Sequence, residues 1–294
     1  LKIFITGGTG YVGGPVVARL ARAHDVTALA RTDAGAQGLA RVGATPLHGA
    51  LDDVTSFRDA AAQADAIVHL AAGRHPVDEL LALAGGRVFV YTSVLFLLGD
   101  TAAADEETSP RPLPHLVSRL EEEQRVLAAA TSDRATAVIR PGMVYGGGDG
   151  GAVSMLFRTA ADEGAAAYVG DGANEWPLVH RDDVADLFAL VVEAQARGVF
   201  HAVDEAPATV LQIARAASEA AACEGRTRAI ALDDARQFLG PFADALVLNQ
   251  HVTAPRSHAL GWAAARPPFV SDAPRAYDEW RVSAGHGVGG SAAR

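Results

Sequence analysis

Eight residues near the start of the chain, Thr6-Gly7-Gly8-Thr9-Gly10-Tyr11-Val12-Gly13, leave it little choice of fold. The apolar run Ile3-Phe4-Ile5 precedes them and the amphipathic run Val16-Val17-Ala18-Arg19-Leu20 follows. That order reads as strand, glycine turn, helix. Gly7 permits the tight turn, Gly10 lets the backbone approach a pyrophosphate, and Gly13 lets the helix pack close on the strand. The opening N–H groups of the helix and its dipole then face the phosphates. Flexible loops also collect glycine, but a glycine turn between a strand and a helix reads as a dinucleotide site. Gly7, Thr9, Gly10, Tyr11, Val12 and Gly13 are its expected cofactor-binding residues.

Strands are expected at 2–6, 25–30, 44–48, 66–70, 88–91, 136–140 and 199–203, with helices at 14–23, 55–62, 77–84, 115–130, 153–162, 184–194, 211–222 and 273–280. The alternation over the first ~140 residues predicts an α/β fold, a Rossmann-type doubly wound parallel sheet that binds its ligand at the carboxyl ends of the strands. Strand 2 ends in Ala30-Arg31, where an NAD site would carry an acidic residue for the ribose hydroxyls. The Arg31 guanidinium suits the 2′-phosphate of NADP(H), making NADP(H) the expected cofactor and NAD(H) the lesser one; the alternative is a solvated surface arginine. Asp52 either lies near the adenine or, like Asp53, caps the next helix. The small residues of Leu70-Ala71-Ala72, after strand 4, let a cofactor pass close by.

The formal net charge of −10 argues against nucleic acid or an anionic membrane as partner. No apolar run approaches the ~20 residues of a membrane span, and strand 1 begins at once, with no room for a signal peptide. Cys223 is the only cysteine, so neither an intrachain disulfide nor a cysteine metal cluster is expected, and a reducing, cytoplasmic setting fits. The ten histidines show no metal-ligand spacing, so no metal is expected.

Together, Thr6–Gly13, His69–Ala72, Tyr91-Thr92-Ser93, Arg140–Gly146, Val179–Ala185 and Leu260-Gly261-Trp262 resemble the extended short-chain dehydrogenase/reductases, the NAD(P)-dependent epimerase/dehydratase group, in the family's order and over nearly the whole chain. The resemblance implies a dinucleotide-binding domain of 1–140 plus about 181–203. A smaller interleaved lobe of about 141–180 plus 204–282 would hold a small-molecule substrate, and Pro141 would border the cofactor. The Gly/Ser/Ala-rich 283–294 is expected to be a disordered tail.

The chain departs from this family where the chemistry is done. The family uses a Ser or Thr, a Tyr, and a Lys four residues after that Tyr. The helix that would carry the couple reads His115-Leu116-Val117-Ser118-Arg119, in a register set by Glu107-Thr108-Ser109-Pro110 and Glu123. His115 stands in the Tyr position, Arg119 in the Lys position, and Val94 at the usual Ser position beside Ser93. Lys2 is the only lysine, and it lies at the wrong end of strand 1; the usual couple cannot exist here.

Spaced by four on one expected helix, His115 and Arg119 would share a face. Arg119 could hold the ribose as Lys does but cannot titrate, whereas His115 could serve as acid or base. The plain alternatives are that His115 only starts the helix and that Arg119 pairs with Glu122 or Glu123. Thr92 and Ser93 either orient a substrate oxygen or satisfy the strand end. Tyr145 either faces the substrate or is a packed aromatic. His75 reads as a surface histidine and His180 as a link between lobes. The short stretch from Ala72 to Val88 weakens the family's usual helical dimer, leaving a monomer or homodimer. Three functions stay open: an oxidoreductase with a remodelled proton relay acting on a carbonyl, imine or activated alkene; a non-redox cyclase, dehydratase, isomerase or epimerase; and an NADP(H)-responsive binding protein.

Overall fold

The apolar runs align into one sheet in the computed structural model, which describes residues 1–71, 77–84 and 87–285. Its strands are β1 (Lys2–Thr6), β2 (Asp25–Ala30), β3 (Thr45–His48), β4 (Ala66–His69), β5 (Val88–Thr92), β6 (Thr136–Pro141) and β7 (Gly198–Ala202). They lie in the order β7-β6-β5-β4-β1-β2-β3 with every pairing parallel. The direction of winding reverses between β1 and β4, where Thr6 stands opposite His69. A crevice opens at such a switch point, at the carboxyl ends of the strands.

The main helices are α1 (Gly13–Leu20), α2 (Asp33–Arg41), α3 (Arg58–Gln63), α4 (Val77–Leu83), α5 (Val117–Ala128), α6 (Gly151–Glu163), α7 (Arg181–Glu193) and α8 (Val210–Ala220). Alternate strand residues point to opposite faces. Ile3, Ile5, Val68 and Val90 therefore pack with Val16, Leu20 and Phe188 of α1 and α7. Phe4, Ile67, Phe89 and Tyr91 pack with Ala61, Leu80 and Val126 of α3, α4 and α5. A third apolar cluster joins α6, α8 and a last helix, Phe269–Ser283, through Phe157, Ile213 and Trp280. The segment Gln250–Val252 pairs with Thr101–Ala104, and Val252, Ala254 and Trp262 join the sheet-side cluster. Part of the chain after 204 thus returns to the sheet.

Two local expectations are corrected. The sequence reading places no helix between β2 and β3, yet α2 forms there, capped by Thr32 Oγ1, which accepts from Gly35 N at 3.2 Å. Gly35 and Gly38 lower its propensity, and only Ala36 and Leu39 of α2 are buried. The expected tail begins at 283, but Ser283 still closes the last helix; residues 286–294 lie outside the described residues.

Candidate functional site

The glycine turn is built by close approach. Gly7 has φ +74°, and a Cβ there would stand 2.5 Å from the Ala71 nitrogen after β4. A Cβ on Gly13 would fall on the Gly7 carbonyl oxygen, so this glycine sets how near α1 lies to β1. A Cβ on Gly10, by contrast, would meet only that same oxygen, at 3.2 Å.

The crevice beside the turn has a volume of about 800 Å³. Gly7, Thr9, Gly10, Tyr11, Val12, Gly13, Arg31, Asp52, Leu70 and Ala71 all line it, and so do Leu29, Ala50 and Leu51, which the sequence reading does not single out. Those three are apolar residues at strand ends or in a loop, with no chemical signature to mark them. Arg31 is exposed and makes no hydrogen bond or ion pair among the described residues. The phenol of Tyr11 donates to the Gly146 carbonyl at 2.8 Å, and the Arg181 guanidinium lies 5.9 Å from its ring centroid; burial pushes this phenol well above its usual range. The Tyr11 side chain therefore fastens the loop after β6, leaving its backbone to the crevice. A cradle that a Cβ would fill, opening on an unpaired guanidinium, fits a phosphate-bearing dinucleotide. Ala72 lies outside the described residues, with Arg74 and His75.

A second set of groups gathers at the carboxyl end of β5. The Thr92 and Ser93 hydroxyl oxygens are buried without a hydrogen-bond partner among the described residues. Arg119 on α5 donates through Nη1 to the Thr92 carbonyl at 3.1 Å and to the Tyr91 hydroxyl at 3.4 Å. The Tyr91 hydroxyl in turn donates to Glu122 Oε2 at 2.7 Å. Burial, above all, holds that phenol protonated far beyond neutrality. Glu123 is taken by Arg140 of β6 in a buried, two-point ion pair that ties α5 to the sheet. Arg119 thus pairs with neither Glu122 nor Glu123, contrary to the plain alternative read from sequence.

His115 does not share α5 with Arg119. It sits in a separate 3-10 turn, Pro114–Leu116, because three prolines hold the approach off helical geometry. It is exposed and without a hydrogen bond or ion pair among the described residues, so nothing orients it.

Tyr145 is the packed aromatic. It is 1% exposed, its hydroxyl donates to the Pro267 carbonyl at 2.7 Å, and its ring stands edge-on to His180 and Phe269. Pro141 is also buried, at the end of β6, three strands from β1. It borders not the dinucleotide crevice but a small cavity of about 40 Å³ with Val94, Phe96, Met143, Pro177 and Gln250. His180 caps α7 by accepting from Asp182 N at 3.2 Å, and burial pushes its pKa down. Among the described residues there is no group of three or more metal-ligating side chains and no helix long and apolar enough to cross a membrane.

Comparison with known proteins agrees with this geometry. The model of the NAD dependent epimerase/dehydratase family matches residues 3–82 and 77–203. An uncharacterised protein of Schizosaccharomyces pombe is 33% identical over 231 residues, 73% of this chain and 78% of that protein. A 2-alkyl-3-oxoalkanoate reductase of Stenotrophomonas maltophilia is 30% identical over 225 residues, 67% of each chain. Among solved structures, a double mutant of the dTDP-glucose 4,6-dehydratase DesIV of Streptomyces venezuelae, with NAD bound, superposes with a TM-score of 0.80 at 21% identity, covering 97% of this chain and 98% of that one. The human epimerase family protein SDR39U1, with NADPH, gives 0.71 at 21% identity over 95% and 99%. Seven parallel strands, a glycine cradle at the switch point and a family match from residue 3 to residue 203 place this chain in the NAD-dependent epimerase/dehydratase family.

Proposed function

We propose that the protein is an NADP(H)-dependent oxidoreductase acting on the carbonyl of a small molecule, with imines and activated alkenes as related substrates. The observation that carries the cofactor choice is Arg31, an unpaired guanidinium lining the crevice at the end of β2, where an acidic residue would serve NAD. The reductase names of relatives such as that of Stenotrophomonas maltophilia support the redox class.

When bound, the dinucleotide supplies or accepts the hydride. The chain's own residues do the rest. The backbone from Thr9 to Gly13 would hold the phosphates, Arg31 the 2′-phosphate, and Asp52 would border the adenine. Arg119 offers N–H donors to the ribose and to the negative charge that grows on a carbonyl oxygen. Thr92 and Ser93, whose hydroxyls lack partners, orient that oxygen. With nothing to orient His115 in the tyrosine position, the proton is assigned to water. Val94, Phe96, Met143 and Pro177 would offer an apolar contact to part of the substrate.

The test is a titration with NADPH and NADH, followed by nicotinamide fluorescence, for the wild type and Arg31→Asp. Loss of one phosphate-binding guanidinium should weaken NADPH binding about tenfold or more and leave NADH little changed. Unchanged selectivity would remove Arg31 from the 2′-phosphate. A carbonyl screen for NADPH oxidation then tests the reaction class. Tight binding without oxidation by any substrate would move the reading to non-redox chemistry on the same fold.

A further inference from the structure

Arg119 has an unusual set of neighbours for an arginine on an acidic helix. Glu122 and Glu123 follow it by three and four residues, the spacings at which helix side chains pair. Neither pairs with it. Glu123 is fully engaged by Arg140. Glu122 is held by the Tyr91 hydroxyl, which spends its only proton on that carboxylate and presents its lone pair to Arg119. Among the described residues the guanidinium meets only neutral acceptors, the Tyr91 oxygen and the Thr92 carbonyl, both through Nη1, and its remaining N–H donors make no hydrogen bond.

We propose that Tyr91 is a positioning residue, a spacer that keeps Glu122 off Arg119 so that an unneutralised guanidinium stands at the carboxyl end of β5. Without the phenol oxygen, Glu122 has lost its donor and Arg119 one of its two acceptors. The two then satisfy each other as a direct i, i+3 ion pair. That pair draws the guanidinium away from Thr92 and screens its charge with a carboxylate. Tyr91 is suited to the task because strand alternation points it toward α5, where it is 1% exposed and its ring stacks on His69 at 5.8 Å between centroids. The proposal builds on the reading that Arg119 contacts the cofactor or the reacting oxygen.

The test is a set of variants: Tyr91→Phe, Glu122→Gln, the two combined, and Arg119→Ala. Tyr91→Phe keeps the ring and its packing. The first readout is the NADPH dissociation constant. Arg119→Ala and Tyr91→Phe should each weaken binding about tenfold, the scale of one charge-assisted contact. Glu122→Gln alone should change it less than about twofold, because the amide oxygen still accepts from the phenol. The double variant should return to within about threefold of the wild type, since no carboxylate remains to capture Arg119. Where Arg119→Ala does weaken binding, a double variant as weak as Tyr91→Phe, or a Tyr91→Phe protein that binds like the wild type, overturns the spacer role. Tyr91→Phe with Glu122→Leu serves if Tyr91→Phe alone does not fold; it too should bind like the wild type, and tenfold weaker binding overturns the proposal.

The second readout is a crystal structure of the Tyr91→Phe variant. A direct Arg119–Glu122 pair supports the spacer, and a guanidinium still on the Thr92 carbonyl refutes it. This readout separates the two failures. If Arg119→Ala leaves NADPH affinity unchanged while the pair forms in the crystal, the assigned target of Arg119 falls and the spacer stands.

Discussion

Acidification from pH 7 to 4.5 should pull on two buried groups in opposite directions, and removing either should unmask the other. His201 on β7 is fully buried, with Nδ1 at 3.1 Å from the Thr253 carbonyl and Nε2 without a partner among the described residues. Burial pushes its pKa down to about 4, against the pull of nearby Glu106. Asp204, two residues past β7, has Oδ2 buried without a partner among the described residues, and burial pushes its carboxyl up to about 6. The reference values are 6.5 and 3.8.

The lowered histidine contributes stability that is complete above pH 6.5 and lost as pH falls toward 4, because the unfolded chain takes up that proton first. The raised carboxyl acts oppositely: its contribution is complete below 3.8 and lost as pH rises through 6. Between pH 7 and 4.5 the linkage gives a loss of about 2 kcal/mol for His201 and a gain of similar size for Asp204. In the wild type the two nearly cancel. Asp204→Asn should therefore lose about 2 kcal/mol more than the wild type over this interval, and His201→Asn less than the wild type by a similar amount. His201→Asn keeps an amide N–H for the Thr253 carbonyl. The assay is urea unfolding at pH 7 and 4.5, followed by the fluorescence of buried Trp176, Trp262 and Trp280. Parallel pH profiles for the wild type and both variants would refute the argument that these burials are uncompensated.

Two further outcomes follow from the anchoring of α5 and from the rim of the site. Glu123→Ala leaves Arg140 buried without its carboxylate and should cost about 3–5 kcal/mol in the same unfolding assay; a cost under about 1 kcal/mol, the scale of an exposed pair, would mean that this pair does not tie α5 to the sheet. His115→Ala should leave turnover within about threefold, because nothing holds the imidazole at a reacting atom; a fall of about a hundredfold would make it the acid or base after all.

The dinucleotide half of the site is legible because its chemistry is local in sequence. A turn that must contain glycine announces itself, and ten of the residues named for it do line one crevice. The strands of the sheet are legible for a related reason: buried parallel strands read as short apolar runs between glycine and proline. Helix α2 escapes a sequence reading because it covers the sheet with only two buried side chains, so little periodicity remains to see. Between α8 and the last helix, however, the chain alternates helices of five to eight residues with strands of three or four, below the length at which a period can be recognised.

The catalytic end is legible only in the negative. One lysine, at the wrong end of β1, excludes the family's Tyr-Lys couple whatever the fold. What stands in its place depends on contacts between α5 and β5, some 30 residues apart. From sequence, Arg119 followed by three glutamates reads as a surface ion pair. Only the sheet explains why it is not one. Arg140 takes Glu123 and Tyr91 takes Glu122, leaving the guanidinium to neutral oxygens at a strand end where two hydroxyls also lack partners. Substituting arginine for lysine keeps a donor for ribose and oxyanion while removing a group whose pKa could be tuned. A site changed in this way can still stabilise charge but can no longer relay a proton through the residue that carries the charge. On the proposed reading, with water as the proton source, kcat should lack the ionisation that a tyrosine–lysine couple imposes.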